Sequence, residues 1–323
     1  MLPDGFYFKT LDISYYKEIW SLICNHYHED SQHLSRFTYS KDFIYWYLKN
    51  IPDGFILGLI YNSKLVGIIA ATFIDMIIDN NKMTLPYINL LCLQSKIRNY
   101  GLESDLLFEI KRRLSTINLN TVFSATVKFN QSFCVTKDFV IPINYSFLKK
   151  IEFLSEDLPA IRRFPNNPLH LMTDKDIDSV TFKLNNFLEK FTIKPNFTPT
   201  STKHFLLPRK NIVYSFVKRN HKKEPTDFVS IYKSYWYCID KKEMVSIASL
   251  AFYFHETMDL TELIAYLLDK LITYKIDQLI FKDIMNNTNI DITKFSTYEK
   301  QQHCIDPLIL NPTDASKIAI FPF

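Results

Sequence analysis

One order of elements occurs twice along this chain, and that repetition limits its fold more than any single motif. In the first half, Tyr16, Ile19, Trp20, Ile23 and Cys24 recur on one face of a helix expected over 14–27. Ser40 is placed as the N-cap of a short helix carrying Phe43, Trp46 and Tyr47 at helical spacing. Strand runs are expected at 55–61, 65–78 and 85–93, separated by Asn62-Ser63 and by the polar stretch 79–82, both suited to hairpin turns. A helix over 102–114 aligns Leu102, Leu106, Ile110 and Leu114, and a strand over 121–127 closes the half. The second half runs through the same order: a helix at 176–190, strands at 212–218, 227–237 and 244–255, a helix at 259–273 and a strand at 277–281. The halves share little literal sequence, so it is the order that repeats. Their junction, 158–170, holds Pro159, Pro165 and Pro168 but no flexible linker, so the halves should share one continuous sheet or a large interface.

Glycine usage removes two large classes of nucleotide enzyme. The five glycines are Gly5, Gly54, Gly58, Gly67 and Gly101. Walker loops and dinucleotide-binding turns need several glycines close together, because backbone must approach phosphate and take positive φ. Neither is present. The five cysteines are odd in number, far apart and without a C-x-x-C pair, which argues against a disulfide framework or structural zinc and for a reducing compartment. A net charge of +4 is too small to announce a nucleic-acid or membrane-surface binder. The run 65–78 is the longest apolar stretch and contains Asp75, too short to span a bilayer. The N-terminus shows no signal-peptide pattern, so a cytoplasmic protein is expected.

The element order resembles the acyl-CoA-dependent N-acyltransferase fold, doubled. It implies an α+β fold of two tandem GNAT-like halves, in pseudo-twofold arrangement around a mainly antiparallel sheet. Specific residues narrow the resemblance. Asn25-His-Tyr-His-Glu-Asp30, then Arg36-Phe-Thr-Tyr-Ser40, then Phe43-Ile-Tyr-Trp46, resemble the N-Y-V-E-D, F-R-F-x-Y-S and following Phe and Trp of the eukaryotic N-myristoyltransferase family. Leu2-Pro-Asp-Gly-Phe6 is similar to the P-D-G-F that precedes them, Ser63-Lys-Leu-Val-Gly67 to K-L-V-G, and Ile88-Asn-Leu-Leu-Cys92 to I-N-F-L-C. Lys175-Asp-Ile177, Pro208 with Asn211-Ile212, Thr226-Asp-Phe228 and Lys294-Phe295 follow in family order.

The resemblance implies transfer of a tetradecanoyl group from myristoyl-CoA, a co-substrate, to the N-terminal glycine amine of proteins, with no metal. By resemblance the thioester oxygen is met by the backbone amides of Leu90 and Leu91, and Asn89 and Ser124 orient the amine. An α-amino group of pKa roughly 7.7–8.0 must lose a proton before attack. In the family the base is the C-terminal carboxylate, here that of Phe323, on a tail expected to be strand-like. Residues implied for CoA are Leu93, Arg98, Asn99, Gly101 and Leu102, at the start of a helix where phosphate meets backbone donors. Lys111, Arg112 and Arg113 read better as a solvated face. The peptide groove is implied to use Tyr27, Phe37, Tyr39, Phe153 and Tyr253, with Glu29 and Asp30 meeting a basic residue of the substrate. His26 and His28 lie two apart and point to different faces, so they are expected to pack or be solvated rather than hold metal; His255 is expected to be structural.

The halves are expected to be 1–157, binding acyl-CoA, and 158–323, binding peptide and ending in the catalytic terminus. A monomer is expected, with acyl-CoA and glycine-initiated peptides as partners and neither nucleic acid nor a membrane span. Three departures from the family pattern stand out. The K-F-G-x-G-D-G signature survives only as Lys294-Phe-Ser-Thr-Tyr-Glu-Lys300, and the Y-W-H stretch is Asp138-Phe-Val140. The chain also begins at the P-D-G-F stretch, without the segment that in relatives folds over CoA. These departures imply altered peptide preference and weaker acyl-CoA binding. Two alternatives stay open: a catalytically silent homologue that sequesters acyl-CoA or myristoylated peptides, and a transferase of a shorter acyl chain.

Overall fold

The computed structural model describes residues 2–30, 33–116, 122–125, 134–154, 160–292, 298–307 and 313–320, with backbone alone at 122–125 and 298–307. Two strand quartets of the same design form the ends of one mixed sheet. In the first, β3 (Ile56–Tyr61), β4 (Lys64–Ile78) and β5 (Asn81–Leu93) run antiparallel, and β6 (Val122–Ala125) adds parallel to β5. In the second, β10 (Val213–Arg219), β11 (Pro225–Cys238) and β12 (Glu243–His255) run antiparallel, and β13 (Gln278–Lys282) adds parallel to β12.

The turns that close the first quartet follow from its asparagines. Asn62 and Ser63 have φ of 48° and 60°, and Asp79 and Asn80 have 47° and 66°. Positive φ at both central residues defines the two-residue turn whose twist matches antiparallel strands, and Asn and Asp tolerate it. Because the second turn needs only Asp79 and Asn80, β5 starts at Asn81, earlier than the expected 85.

Four strands not expected from the sequence interlock the quartets. β14 (Tyr298–Pro307) pairs with β6, and β7 (Cys134–Pro142) pairs with both β14 and β13, so the sheet is continuous through its middle. Off this path, β2 (Ser35–Thr38) adds to β11, and β9 (Ile193–Pro195) adds to β4. Each sequence half thus lends strands to the quartet of the other. β1 (Phe6–Thr10) and β8 (His170–Leu171) finish the two edges.

The helices cover this sheet as their apolar periodicity requires. α1 (Tyr16–His26) buries Ile19, Leu22 and Ile23, and α3 (Leu102–Ser115) buries the four residues expected of it. α5 (Ile177–Leu188) and α7 (Leu260–Thr273) do the same in the second half. α2 (Lys41–Leu48) is capped by Ser40, whose Oγ accepts from Phe43 N–H at 3.0 Å and donates to the carbonyl of Asn211 at 3.1 Å. It packs Trp46 face to face on His204 of α6 (Pro199–Leu206), ring centres 5.0 Å apart. α4 (Tyr145–Lys150) follows β7. Among the described residues no helix is long and apolar enough to cross a membrane.

Within the described part of the C-terminal tail, 313–320, the expected strand is reduced to a bridge. Asp314 caps a single 3-10 turn, Ala315–Lys317, and Ile318 makes one isolated parallel bridge with Ile193. Backbone bonds from Thr192 N–H to Lys317 and from Ala319 N–H to Ile193 join this segment to β9.

Gly67 shows how tightly β4 meets α3. A Cβ there would lie 2.4 Å from Leu93 Cδ2 and 3.3 Å from Leu106 Cδ1, and both leucines are fully enclosed. Gly67→Ala should therefore destabilise the fold by about 1–3 kcal/mol, read as a lowered urea midpoint at unchanged slope.

Candidate active site

The β4–β5 ladder slips by one residue in its middle. Ile68 faces Cys92 and Ala70 faces Asn89, so Leu90 and Leu91 together stand opposite Ile69. Leu90 takes up the extra length with φ of 57°, a left-handed conformation that costs a non-glycine residue about 1–2 kcal/mol. Its side chain is fully buried, so packing holds it there. Strain of this kind concentrates at functional sites. The Leu90 N–H is turned out of the ladder and donates to Asn89 Oδ1 at 2.7 Å.

Tyrosines surround that oxygen. Tyr27 O–H donates to Asn89 Oδ1 at 3.3 Å, and the Tyr47 hydroxyl also interacts with the Asn89 side chain. Tyr39 and Tyr87 belong to the same electrostatic group, for Tyr39, Tyr87 and Tyr47 all raise Tyr27, and Tyr47 and Tyr39 raise Tyr87. Burial, reinforced by the neighbouring phenols, lifts Tyr27, Tyr47 and Tyr87 far above the ordinary phenol range. All act as neutral hydrogen-bonding groups at any working pH.

The implied groove residues divide. Tyr27, Phe37 and Tyr39 gather beside Asn89, with ring centres 6.4 Å (Tyr27–Phe37) and 5.1 Å (Phe37–Tyr39) apart. β2 brings Phe37 against Trp236 of β11 at 5.4 Å, and Phe153 packs on the same tryptophan cluster. Tyr253 does not join them. It is fully buried beneath α5, against Phe187 and His255, with its hydroxyl donating to Asn287 at 2.9 Å, so it lines no groove. His255 accepts a structural role, its Nδ1 3.1 Å from the carbonyl of Met258.

Both members of the acidic pair have partners within the chain, and those of Glu29 are cationic. Arg36 Nη2 and His33 Nδ1 both lie 2.9 Å from Glu29, and Arg98 Nη1 is 3.8 Å away. Burial alone would raise the Glu29 carboxyl, but the His33 and Arg36 hydrogen bonds and the guanidinium charges outweigh it and hold the pKa below the ordinary range. Asp30 accepts from Leu34 N–H at 3.0 Å and from the Ser35 hydroxyl. Both residues are half-buried.

Arg98 too has partners within the chain. It lies in the 3-10 turn Ser95–Tyr100 after β5, but its guanidinium donates to the carbonyls of His26 and Tyr27, 3.1 Å for the latter. Arg36 Nη1 donates to Cys24 O at 3.0 Å. Cations collect there because the last carbonyls of a helix are unpaired and carry partial negative charge. Gly101 caps α3 with φ of 73°, and Asn99 is exposed beside it, whereas the Leu93 and Leu102 side chains are in the core, leaving only their backbone for a ligand. Arg112 and Arg113 are paired with Glu109.

Ser124 follows Phe123, which pairs with Ile88, so the β6 backbone brings it to the register of Asn89. Phe323 lies outside the described residues, as do Lys294 and Phe295. Nearer the tail, Ile318 and Ile320 share a cluster with Tyr87, two residues from Asn89. Ala319 and Ile320 also wall a cavity of about 180 Å³ beside Phe73, Asn196 and Phe252. No group of three metal-binding side chains occurs among the described residues. Sequence reasoning missed Tyr47 and Tyr87. The period of two along β5, which gives Tyr87 and Asn89 one face, was the available signal for the second.

A continuous sheet of two like quartets, with a bulge in the β4–β5 ladder next to its first parallel junction, defines an N-acyltransferase of doubled GNAT-like architecture. The structure of a GCN5-related N-acetyltransferase from Anabaena variabilis is similar at TM-score 0.51 and 11% identity, over 93% of this chain and 71% of that one. Saccharomyces cerevisiae N-myristoyltransferase with bound myristoyl-CoA is similar at TM-score 0.88 and 19% identity, over 99% of this chain and 90% of that one. The family description for the N-terminal domain of myristoyl-CoA:protein N-myristoyltransferase matches residues 1–136, and that for its C-terminal domain matches 157–303. An Acanthamoeba polyphaga mimivirus protein, provisionally a glycylpeptide N-tetradecanoyltransferase, is 48% identical over 91% of this chain and 84% of its own length. Glycylpeptide N-tetradecanoyltransferase 2 of Danio rerio is 31% identical over 72% of this chain, and the match spans about half of that relative, 51%. The chain belongs to the myristoyl-CoA:protein N-myristoyltransferase family.

The arginines around α1 make one electrostatic prediction. Burial, then the charges of Arg36 and Arg98, lower the His26 pKa from 6.5 and keep the imidazole neutral at pH 7. Arg98→Ala removes a positive neighbour, so the His26 titration followed by NMR should move upward. An unmoved titration would show that Arg98 does not sit against the end of α1.

Proposed function

We propose that this protein transfers a tetradecanoyl group from myristoyl-CoA to the N-terminal glycine amine of protein substrates. The observation that carries the reading is the bulge at Leu90 beside Asn89, in a chain of this family. A bulge aims consecutive backbone N–H groups away from the ladder, and such fixed donors stabilise the oxyanion of a thioester under attack at no reorganisation cost. Leu90 and Leu91 take this part.

The incoming glycine ammonium gives a proton to the α-carboxylate of Phe323. The nitrogen then attacks the thioester carbon, the C–S bond breaks, and the second proton passes from the nitrogen to the departing sulfur, so CoA leaves as the thiol. In water a carboxylate is a weak base for an ammonium, by roughly 4 pKa units or about 6 kcal/mol, and burial narrows that gap by raising the carboxyl. Asn89 and the hydroxyl of Ser124 orient the amine. Tyr27, Phe37, Tyr39 and Phe153 line the path of the peptide. Residues 1–157 chiefly hold acyl-CoA, through backbone donors around Asn99 and Gly101, and 158–323 chiefly hold the peptide. Preference for the substrate sequence departs from that of relatives, because Glu29 and Asp30 are already paired and Lys294–Lys300 lacks the family's glycines. The protein acts as a cytoplasmic monomer, a reading supported by its scattered, odd number of cysteines.

Mass spectrometry of a library of glycine-initiated peptides after incubation with myristoyl-CoA tests the transfer. A myristoyl-sized gain on a subset of peptides is expected, with myristoyl-CoA preferred over shorter acyl chains in competition. Acyl-CoA binding without any acylated peptide would favour a sequestering protein instead. Extension of the chain beyond Phe323 by a short Gly-Ser tag should abolish turnover and spare acyl-CoA binding. Equal turnover with the tag would remove the Phe323 carboxylate from the mechanism.

A further inference from the structure

Asn89 Oδ1 occupies the position chemistry assigns to the substrate. It is an sp² carbonyl oxygen, as is the thioester oxygen, and it accepts the Leu90 N–H at 2.7 Å, a full-strength length. The left-handed turn at Leu90 swings this N–H out of the ladder and back onto the side chain of the preceding residue. Because Leu90 is fully buried, its amide would otherwise lose its acceptor without gaining water, which is strongly unfavourable. The second donor to the same oxygen, Tyr27 O–H, is longer at 3.3 Å.

We propose that the Asn89 carboxamide is an internal stand-in for the thioester oxygen, which it must surrender to the acyl group before it can accept the glycine amine. This inference rests on the acyl-transfer reading above and deepens it. When the thioester oxygen takes the Leu90 N–H, Asn89 Oδ1 loses its shorter donor. It keeps the Tyr27 hydroxyl as an anchor and has capacity for an N–H of the incoming ammonium. One side chain thereby links the two substrates: the amine finds its acceptor only after the acyl group is seated. Tyr27 is a positioning residue in this scheme, holding the oxygen within reach of both states.

The test uses two stable analogues of myristoyl-CoA, a ketone that keeps the carbonyl oxygen and a thioether that lacks it. Asn89→Ala removes the competitor, so the ketone should bind about 2- to 10-fold more tightly than to the native protein, the range of one ordinary hydrogen bond. Thioether affinity should not change, and kcat with peptide should fall. Asn89→Asp retains an acceptor and should leave the ketone-to-thioether ratio at or below the native value. On the native protein, the Leu90 amide proton in an NMR spectrum should shift with the ketone and not with the thioether. That measurement stands even where a variant fails to fold. An unchanged or lowered ratio in Asn89→Ala, or equal Leu90 shifts with both analogues, overturns the stand-in while leaving acyl transfer intact. A native protein that bound neither analogue would overturn both readings.

Discussion

A single extra residue in β5 organises the site. The slip between Ile68 and Ala70 forces Leu90 into a left-handed conformation, and three consequences follow from that geometry. The ladder loses a rung, the Leu90 amide turns toward Asn89, and the side chains beyond the bulge change register against β4, just after the parallel junction of β5 with β6 at Tyr87 and Ile88. The strain is local, and the surrounding core opposes its release: Leu90, Ile69 and Ile68 are all fully enclosed. A well-packed interior does not deform gradually, so the bulge is held as a discrete feature rather than averaged away.

What surrounds the bulge is assembled by exchange between the two sequence halves. β2 leaves the first half to pair with β11, carrying Phe37 to Trp236, while β9 leaves the second to pair with β4 and receives the C-terminal tail. β7 and β14 cross in the same way at the centre of the sheet. Side chains from both halves, Phe37 and Trp236 among them, therefore meet on one continuous sheet, the kind of scaffold that catalysis by positioning requires. Electrostatics ties the remaining loop down. The end of α1 exposes carbonyls that Arg36 and Arg98 neutralise, and Glu29 balances those two charges in turn. The result is a Tyr27–Asp30 segment whose charges are satisfied within the protein, leaving the aromatic rings and neutral phenols as its presented chemistry.

Much of the fold was legible because it is written in short-range periodicity. The helices at Leu102, Leu106, Ile110 and Leu114, the Ser40 cap and the three long antiparallel strands of each half all appear where spacing and turn residues put them. Apart from the short edge strands β1 and β8, the strands that escaped, β2, β7, β9 and β14, are the ones that pair across the halves. Their stability comes from a partner distant in sequence, which no local pattern records. The site divides along the same line. Asn89, Leu90, Tyr27, Phe37 and Tyr39 converge from a motif resemblance alone. The intrachain partners of Arg98 and Glu29 were not legible in that motif, since an ion pair depends on which opposite charge folds nearby.

The sequence by itself determined the doubled element order, the family, the caps and turns, and the types of residue available for acyl transfer. It could do so because propensity, periodicity and motif spacing act over a few residues at a time. Only the tertiary structure decided that Leu90 turns left-handed onto Asn89, that Tyr27 and Tyr47 meet the same carboxamide, and that Tyr253 belongs to the core. Those outcomes depend on burial and on side chains brought together from far apart in the chain. The physical reason is that a hydrogen bond's strength and a group's charge state are set by what surrounds them in space.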